Sequence, residues 1–139
     1  MKIAVIDGLG GGLGCQIIED LKKELKNSIE ITALGINSQA TSNMVKSGAH
    51  RGATGENAIR ITTRNVDIIA GPLGIIIPDA MMGEVTTGII EGVMDSSAKK
   101  VLLCISQPHV ELIGVENQQP VAVLIKKLVA RVRKFIQSN

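Results

Sequence analysis

The stretch that decides the fold is Lys2-Ile-Ala-Val-Ile-Asp7, then Gly8-Leu9-Gly10-Gly11-Gly12-Leu13-Gly14, then Cys15-Gln-Ile-Ile-Glu-Asp-Leu-Lys-Lys-Glu-Leu-Lys26. The first part is a near-continuous run of strand formers, the pattern of a strand buried on both faces of a parallel sheet. The third repeats Ile17, Ile18, Leu21 and Leu25 at helical spacing, with Lys22, Lys23 and Lys26 toward the negative end of the helix dipole. Asn27-Ser28 breaks the helix, and residues 29–34 resume as a strand. A strand, a glycine loop, a helix and a strand in about 30 residues make a right-handed βαβ unit.

The glycines meet the spacing GxxxGxG through Gly8, Gly12 and Gly14, while plain GxGxxG fails at Leu13 and Cys15. In this context the loop resembles the cofactor loop of short-chain dehydrogenases and related Rossmann-type domains. Glycine lets the backbone turn tightly and approach a phosphate, and the free N–H groups of the next helical turn hold its charge. The expected ligand is a phosphate-containing small molecule, a nucleotide or dinucleotide, with NAD(P) first. Its contacts are Gly8, Gly10, Gly11, Gly12, Leu13 and Gly14, with Asn37, Ser38, Thr41 and Arg51. The plain alternative is that the glycines serve only a tight turn and close helix–strand packing.

Three departures qualify the resemblance. Asp7 precedes the first glycine, and a carboxylate repels a pyrophosphate unless a metal, proton or hydrogen bond intervenes. The segment after the second strand, Leu34-Gly35-Ile36-Asn37-Ser38, lacks the acid that binds NAD ribose and suits NADP or another nucleotide better than NAD. The chain has no Tyr, so the Tyr–Lys chemistry of short-chain dehydrogenases is excluded.

Downstream, 39–48 reads as a helix and 49–57 as a polar loop. His50, Arg51, Thr54, Glu56 and Asn57 make that loop a second candidate for the ligand rim, against an ordinary solvated loop. Residues 58–63 alternate like a strand, with a helical turn as the alternative. Residues 67–71 and 100–105 are buried strands, 87–97 is a helix capped by Thr86, and 120–137 is a basic amphipathic helix. Ser106 to His109 reads as a turn, and Val110 to Val115 as an antiparallel edge strand. The sum is one α/β domain over 1–139, three-layer and Rossmann-like, with a mostly parallel sheet. Asp7, Asp79 and Glu84 are candidates to share a Mg²⁺. Cys15, Cys104 and the methionines read as packing residues, with Met81-Met82 beside the apolar run 75–77 as a possible subunit contact.

Composition excludes several classes. With no Trp, no Tyr and one Phe, the chain lacks the stacking platforms of single-strand nucleic-acid binders. Two Cys and two His show no zinc spacing. No apolar run reaches the ~20 residues that span a bilayer, and no secretory signal is seen, so a cytoplasmic protein with reduced thiols is expected. The chain before residue 120 carries a net −3 and the last twenty residues +5. That basic helix is read as solvated rather than bound to nucleic acid or membrane. The apolar loop at 72–82 points to a homo-oligomer.

The succession VIDGxGGGxG, ALGxNSxATSxMxKxGAxRGATGENAI, VDIIxGPxGIxIPxxMxGEVT and VExxGVEN also resembles a family of small bacterial Rossmann-like proteins known only as a domain of unknown function. The likeness spans residues 3–117. It implies a Rossmann-like fold and supplies no catalytic residues. The remaining alternatives are a non-catalytic nucleotide sensor or scaffold, and a metal-assisted enzyme acting on a phosphorylated ligand through Asp7.

Overall fold

The computed structural model describes residues 1–105, 110–115 and 119–139. Five strands form one sheet: β1 (Lys2–Asp7), β2 (Glu30–Gly35), β3 (Arg51–Thr54), β4 (Ile68–Pro72) and β5 (Lys99–Leu103). The helices are α1 (Gly12–Leu25), α2 (Ser38–Lys46), α3 (Glu56–Thr62), α4 (Thr87–Asp95) and α5 (Val121–Gln137). The strand order is β3-β2-β1-β4-β5, and every pair is parallel. This is the order of the first five strands of a Rossmann sheet. The chain winds outward from β1 to β3, then crosses back to β4, which makes the C-terminal ends of β1 and β4 the topological switch point.

The apolar runs explain the layering. Ile3, Val5, Ile31 and Ala33 face one side with Ile17, Ile18 and Leu21 of α1, Met44 of α2, and Ile125, Leu128 and Val132 of α5. Ala4, Ile6, Leu34 and Ile69 face the other with Ile59 of α3, Ile75, and Ile89 and Val93 of α4. A strand with both faces covered must be apolar at every position, hence the unbroken run in β1.

Three assignments are corrected. The run at 100–105, expected as a buried strand, is the edge strand β5, which ends at Leu103 and has Leu103 as its one buried residue. Residues 58–63, which alternate like a strand, belong to α3 and the turn after it. Ile59 and Thr63 are both fully buried, whereas Ile61 is 47% exposed. Burial at i and i+4 follows the helical period and leaves out i+2. The polar loop at 49–57 contains β3, paired with β2 from Thr32↔Arg51 to Gly35↔Thr54. As an edge strand with exposed residues, it carries no apolar run to announce it.

Residues 110–115 form no strand, and the described sheet has no antiparallel pair. A turn at Ile113–Gly114, with Gly114 at φ 95°, bends the segment away from extended geometry. The expected turn at 106–109, with His109, lies outside the described residues. The Thr86 cap is present, its Oγ1 accepting the Ile89 N–H at 3.2 Å. Among the described residues no helix is long and apolar enough to cross a membrane.

Candidate functional site

The parallel sheet sends Gly8–Gly11, Ile36–Asn37 and Leu73–Thr86 to the same edge, where α1 and α2 begin. The glycine loop turns there. The Gly11 N–H donates to the Gly8 carbonyl at 2.8 Å, with Leu9 at φ 50° and Gly11 at φ 74°.

Asp7 is 5% exposed and dominates the electrostatics. Its Oδ1 accepts the Gly8 N–H and its Oδ2 the Gly14 N–H, both at 2.8 Å. The chain thus satisfies two amides of its own loop, one of them in the first turn of α1. Burial raises the Asp7 pKa above its ordinary value. The Gly14 and Gly8 amides oppose that shift, and the nearby Glu84 carboxylate adds to it.

A second carboxylate reaches the loop from far along the chain. Glu84 Oε1 accepts the Leu9 N–H at 2.6 Å, and its Oε2 accepts from Asn37 Nδ2 at 2.7 Å. Asn37 Nδ2 also donates to the Leu9 carbonyl at 2.8 Å, while its Oδ1 caps α2 by accepting the Ala40 N–H at 2.8 Å. Asn43 Nδ2 donates to the Gly10 carbonyl at 2.9 Å. Glu84 sits on a turn whose Asp79, Met81, Met82 and Gly83 all have positive φ, between 57° and 91°. Three of those four are not glycine, a concentration of backbone strain of the kind found at clamps and switches.

The glycines divide into two groups. A Cβ on Gly8 would lie 2.6 Å from Glu84 Oε1 and 2.8 Å from Met81 Sδ. On Gly11 it would lie 3.0 Å from the Ala40 backbone, and on Gly14 it would meet Met44 and lie 3.0 Å from Asp7 Cβ. These three are required by packing. Gly10 and Gly12 differ: a Cβ on either meets nothing within 4 Å, and neither has positive φ. Both are exposed, and their N–H groups take no partner among the described residues.

The other expected contacts separate. Leu13 follows Gly12 in the first turn of α1 and is half-buried. Ser38, exposed at the start of α2, shares the edge with the loop. Thr41 Oγ1 lies among the Asn37 and Ala53 carbonyls and Thr54 Oγ1, where it fastens α2 to β3. Arg51 stands at the opposite end of the sheet, paired with Glu30 and donating to Thr32 Oγ1 at 3.4 Å. His50 precedes it, its Nδ1 accepting the Ile31 N–H at 3.0 Å. Once β3 begins at Arg51, both residues fall at its N-terminal end, away from the glycine loop. Glu56 bonds Thr86 and packs against Gly88, holding α3 to α4.

Among the described residues no three acidic, His or Cys side chains gather to hold a metal. The two free cysteines are half-buried. The clasp of Glu84, Asn37 and Leu9 is the main feature that sequence spacing misses. Its members are 75 and 47 residues apart, and only the fold brings them together.

Comparison with known proteins agrees with this architecture. No curated protein matches the chain. Among solved structures, apo histidine-tagged saccharopine dehydrogenase (L-Glu forming) from Saccharomyces cerevisiae superposes with TM-score 0.51 at 12% identity, over 77% of this chain and 22% of that one. The chain therefore spans about a fifth of that enzyme, and the likeness is one of fold. A dodecameric FMN-dependent Ubix-like decarboxylase from Escherichia coli O157:H7 gives TM-score 0.47 at 13% identity, over 99% of this chain and 94% of that one. At the level of sequence the family DUF3842, described as a domain of unknown function, matches residues 2–137, and the chain belongs to that family.

Proposed function

We propose that the protein binds a nucleotide at the C-terminal edge of its sheet, with NAD(P) the first candidate. Its phosphate lies on the outer face of the Gly10–Gly12 turn, and Ser38 is a neighbouring donor. The observation that carries this reading is the pair Gly10 and Gly12. Packing and backbone conformation explain glycine at 8, 11 and 14 and leave it unexplained at 10 and 12. A bare, outward-facing backbone with unpartnered N–H groups at a helix start is what a phosphate requires. The Rossmann strand order supports the same location, since ligands of such sheets bind at the switch point. Arg51 is no part of this site.

A second reading has its own support. Asp7 and Glu84 together satisfy the Gly8, Leu9 and Gly14 amides. A loop so far satisfied from within also suits a scaffold that binds no nucleotide. In either case we read the protein as cytoplasmic and self-associating, with the exposed Leu9 and Met82 at the contact.

A thermal-shift screen with NAD, NADP, ATP, flavin and S-adenosylmethionine, each with and without Mg²⁺, separates the two. A ligand at 100 times its Kd adds about 2.7 kcal/mol, which moves a melt by several degrees. A selective shift that Gly12→Val abolishes supports the nucleotide site. No shift with any of them refutes it and leaves the scaffold.

A further inference from the structure

We infer that Glu84 selects the ribose of the bound nucleotide, admitting a free 2′,3′-diol and rejecting a 2′-phosphate; this rests on the nucleotide reading above. In dinucleotide-binding sheets an acid at the end of the second strand accepts from the ribose hydroxyls, and a nearby Arg accommodates a 2′-phosphate instead. In this chain β2 ends without an acid, at Gly35-Ile36-Asn37. Asn37 and Ser38 read alone would leave room for the phosphate. The fold changes that assignment, because Glu84 arrives from the loop after β4 and places its carboxylate on Asn37 Nδ2 at 2.7 Å and on the Leu9 N–H at 2.6 Å. The acid absent from the end of β2 in sequence is therefore present there in space.

Two further observations point the same way. Each Glu84 oxygen spends one acceptor position on the protein and keeps one for a hydroxyl donor. The loops that meet at this edge, residues 8–11, 36–37 and 73–86, contain no Lys or Arg. They supply no countercharge to a 2′-phosphate, while the Glu84 carboxylate at the end of β2 opposes it. The half-buried position of Glu84 makes that repulsion stronger than it would be in open solvent.

The test is titration calorimetry of the full chain with NAD and with NADP, which differ only in the 2′-phosphate. The expected result is NAD at least about tenfold tighter than NADP, with the ratio shrinking as salt rises from about 0.05 to 0.5 M. Glu84→Gln keeps the shape and removes the charge, and the ratio should fall to about threefold or less, chiefly through tighter NADP. Equal affinities in the unaltered protein, tighter NADP, or a salt-insensitive preference overturn the inference without touching the nucleotide reading. So does a Glu84→Gln variant that weakens both ligands alike, since Glu84 would then only hold the loop. Binding of neither ligand removes NAD(P) from the proposed function, and the inference falls with it.

Discussion

Replacing Gly12 by alanine separates the two uses of a glycine-rich loop, because stability and binding should move in opposite directions. Gly12 is the first residue of α1, with no positive φ and with open space where a Cβ would stand. No clash and no forbidden conformation opposes the methyl group, so the unfolded chain loses freedom and the folded chain loses nothing. Substitutions of this kind stabilise by about 0.4–1 kcal/mol, and a helix-end position belongs at the lower figure. With a urea slope of about 1–3 kcal/mol/M, a gain of ~0.5 kcal/mol raises the midpoint by roughly 0.2–0.5 M. The same methyl group stands where a phosphate would touch the backbone. Nucleotide affinity should fall at least tenfold, about 1.4 kcal/mol. The assay is urea unfolding at equal slope, paired with ligand titration of the same sample. A lowered midpoint would show that Gly12 is a packing glycine after all. A raised midpoint with unchanged affinity would sink the phosphate seat.

Other positions give further outcomes. Gly11→Ala should cost about 1–3 kcal/mol, because it forces a Cβ at φ 74° to within 3.0 Å of the Ala40 backbone. Gly14→Ala should cost about 1–3 kcal/mol by crowding Met44, and measurably less in a Met44→Ala background, so a double-mutant cycle with no coupling would refute the contact. The raised Asp7 pKa fixes the sign of a pH dependence. The folded state holds that proton more tightly than the unfolded chain does, so the contribution is fully present below the ordinary carboxylate value of 3.8 and is lost as pH rises through the raised folded value. Urea unfolding across that window should show it, and Asp7→Asn should flatten that part of the curve.

The βαβ unit and the central strand β4 were legible because a doubly covered strand leaves no freedom in its apolar pattern, whereas the equally apolar run at 100–105 forms the edge strand β5 instead of a buried one. Lys2–Asp7 and Ile68–Pro72 emerge almost as their runs suggest. The edge was not legible in the same way. In β3, Arg-Gly-Ala-Thr has no core to fill and is placed by backbone pairing with β2. Once β3 occupies Arg51–Thr54, His50 and Arg51 go to its N-terminal end, and a density of reactive side chains along the sequence becomes two separate places in space. Thr41 acquires a scaffold role for a related reason. Its hydroxyl already lies among three oxygens of the scaffold, a demand that no local pattern states.

Charge gives the clearest case of order hidden by chain position. Read along the sequence, the protein is an acidic body with a basic tail. Read along the strands, one sheet end carries acids without bases among the described residues, while the other is mixed, with Glu24, Glu30, Asp67 and Asp95 among its bases. All five helices begin at the C-terminal edge, because all five strands are parallel. Asp7, Glu56, Asp79 and Glu84 lie at that edge, beside the positive ends of the helix dipoles. Lys22, Lys23, Lys46 and Lys134 lie in the last turns of α1, α2 and α5, while Lys2, Arg51 and Lys99 begin their strands at that same opposite edge. This arrangement suits the dipoles, and it also lowers the positive potential that a phosphate would meet at the glycine loop. An anion bound there must rely on directed N–H groups more than on general attraction. Under the proposed nucleotide reading, Gly10 and Gly12, rather than any basic side chain, are then the positions on which binding would turn.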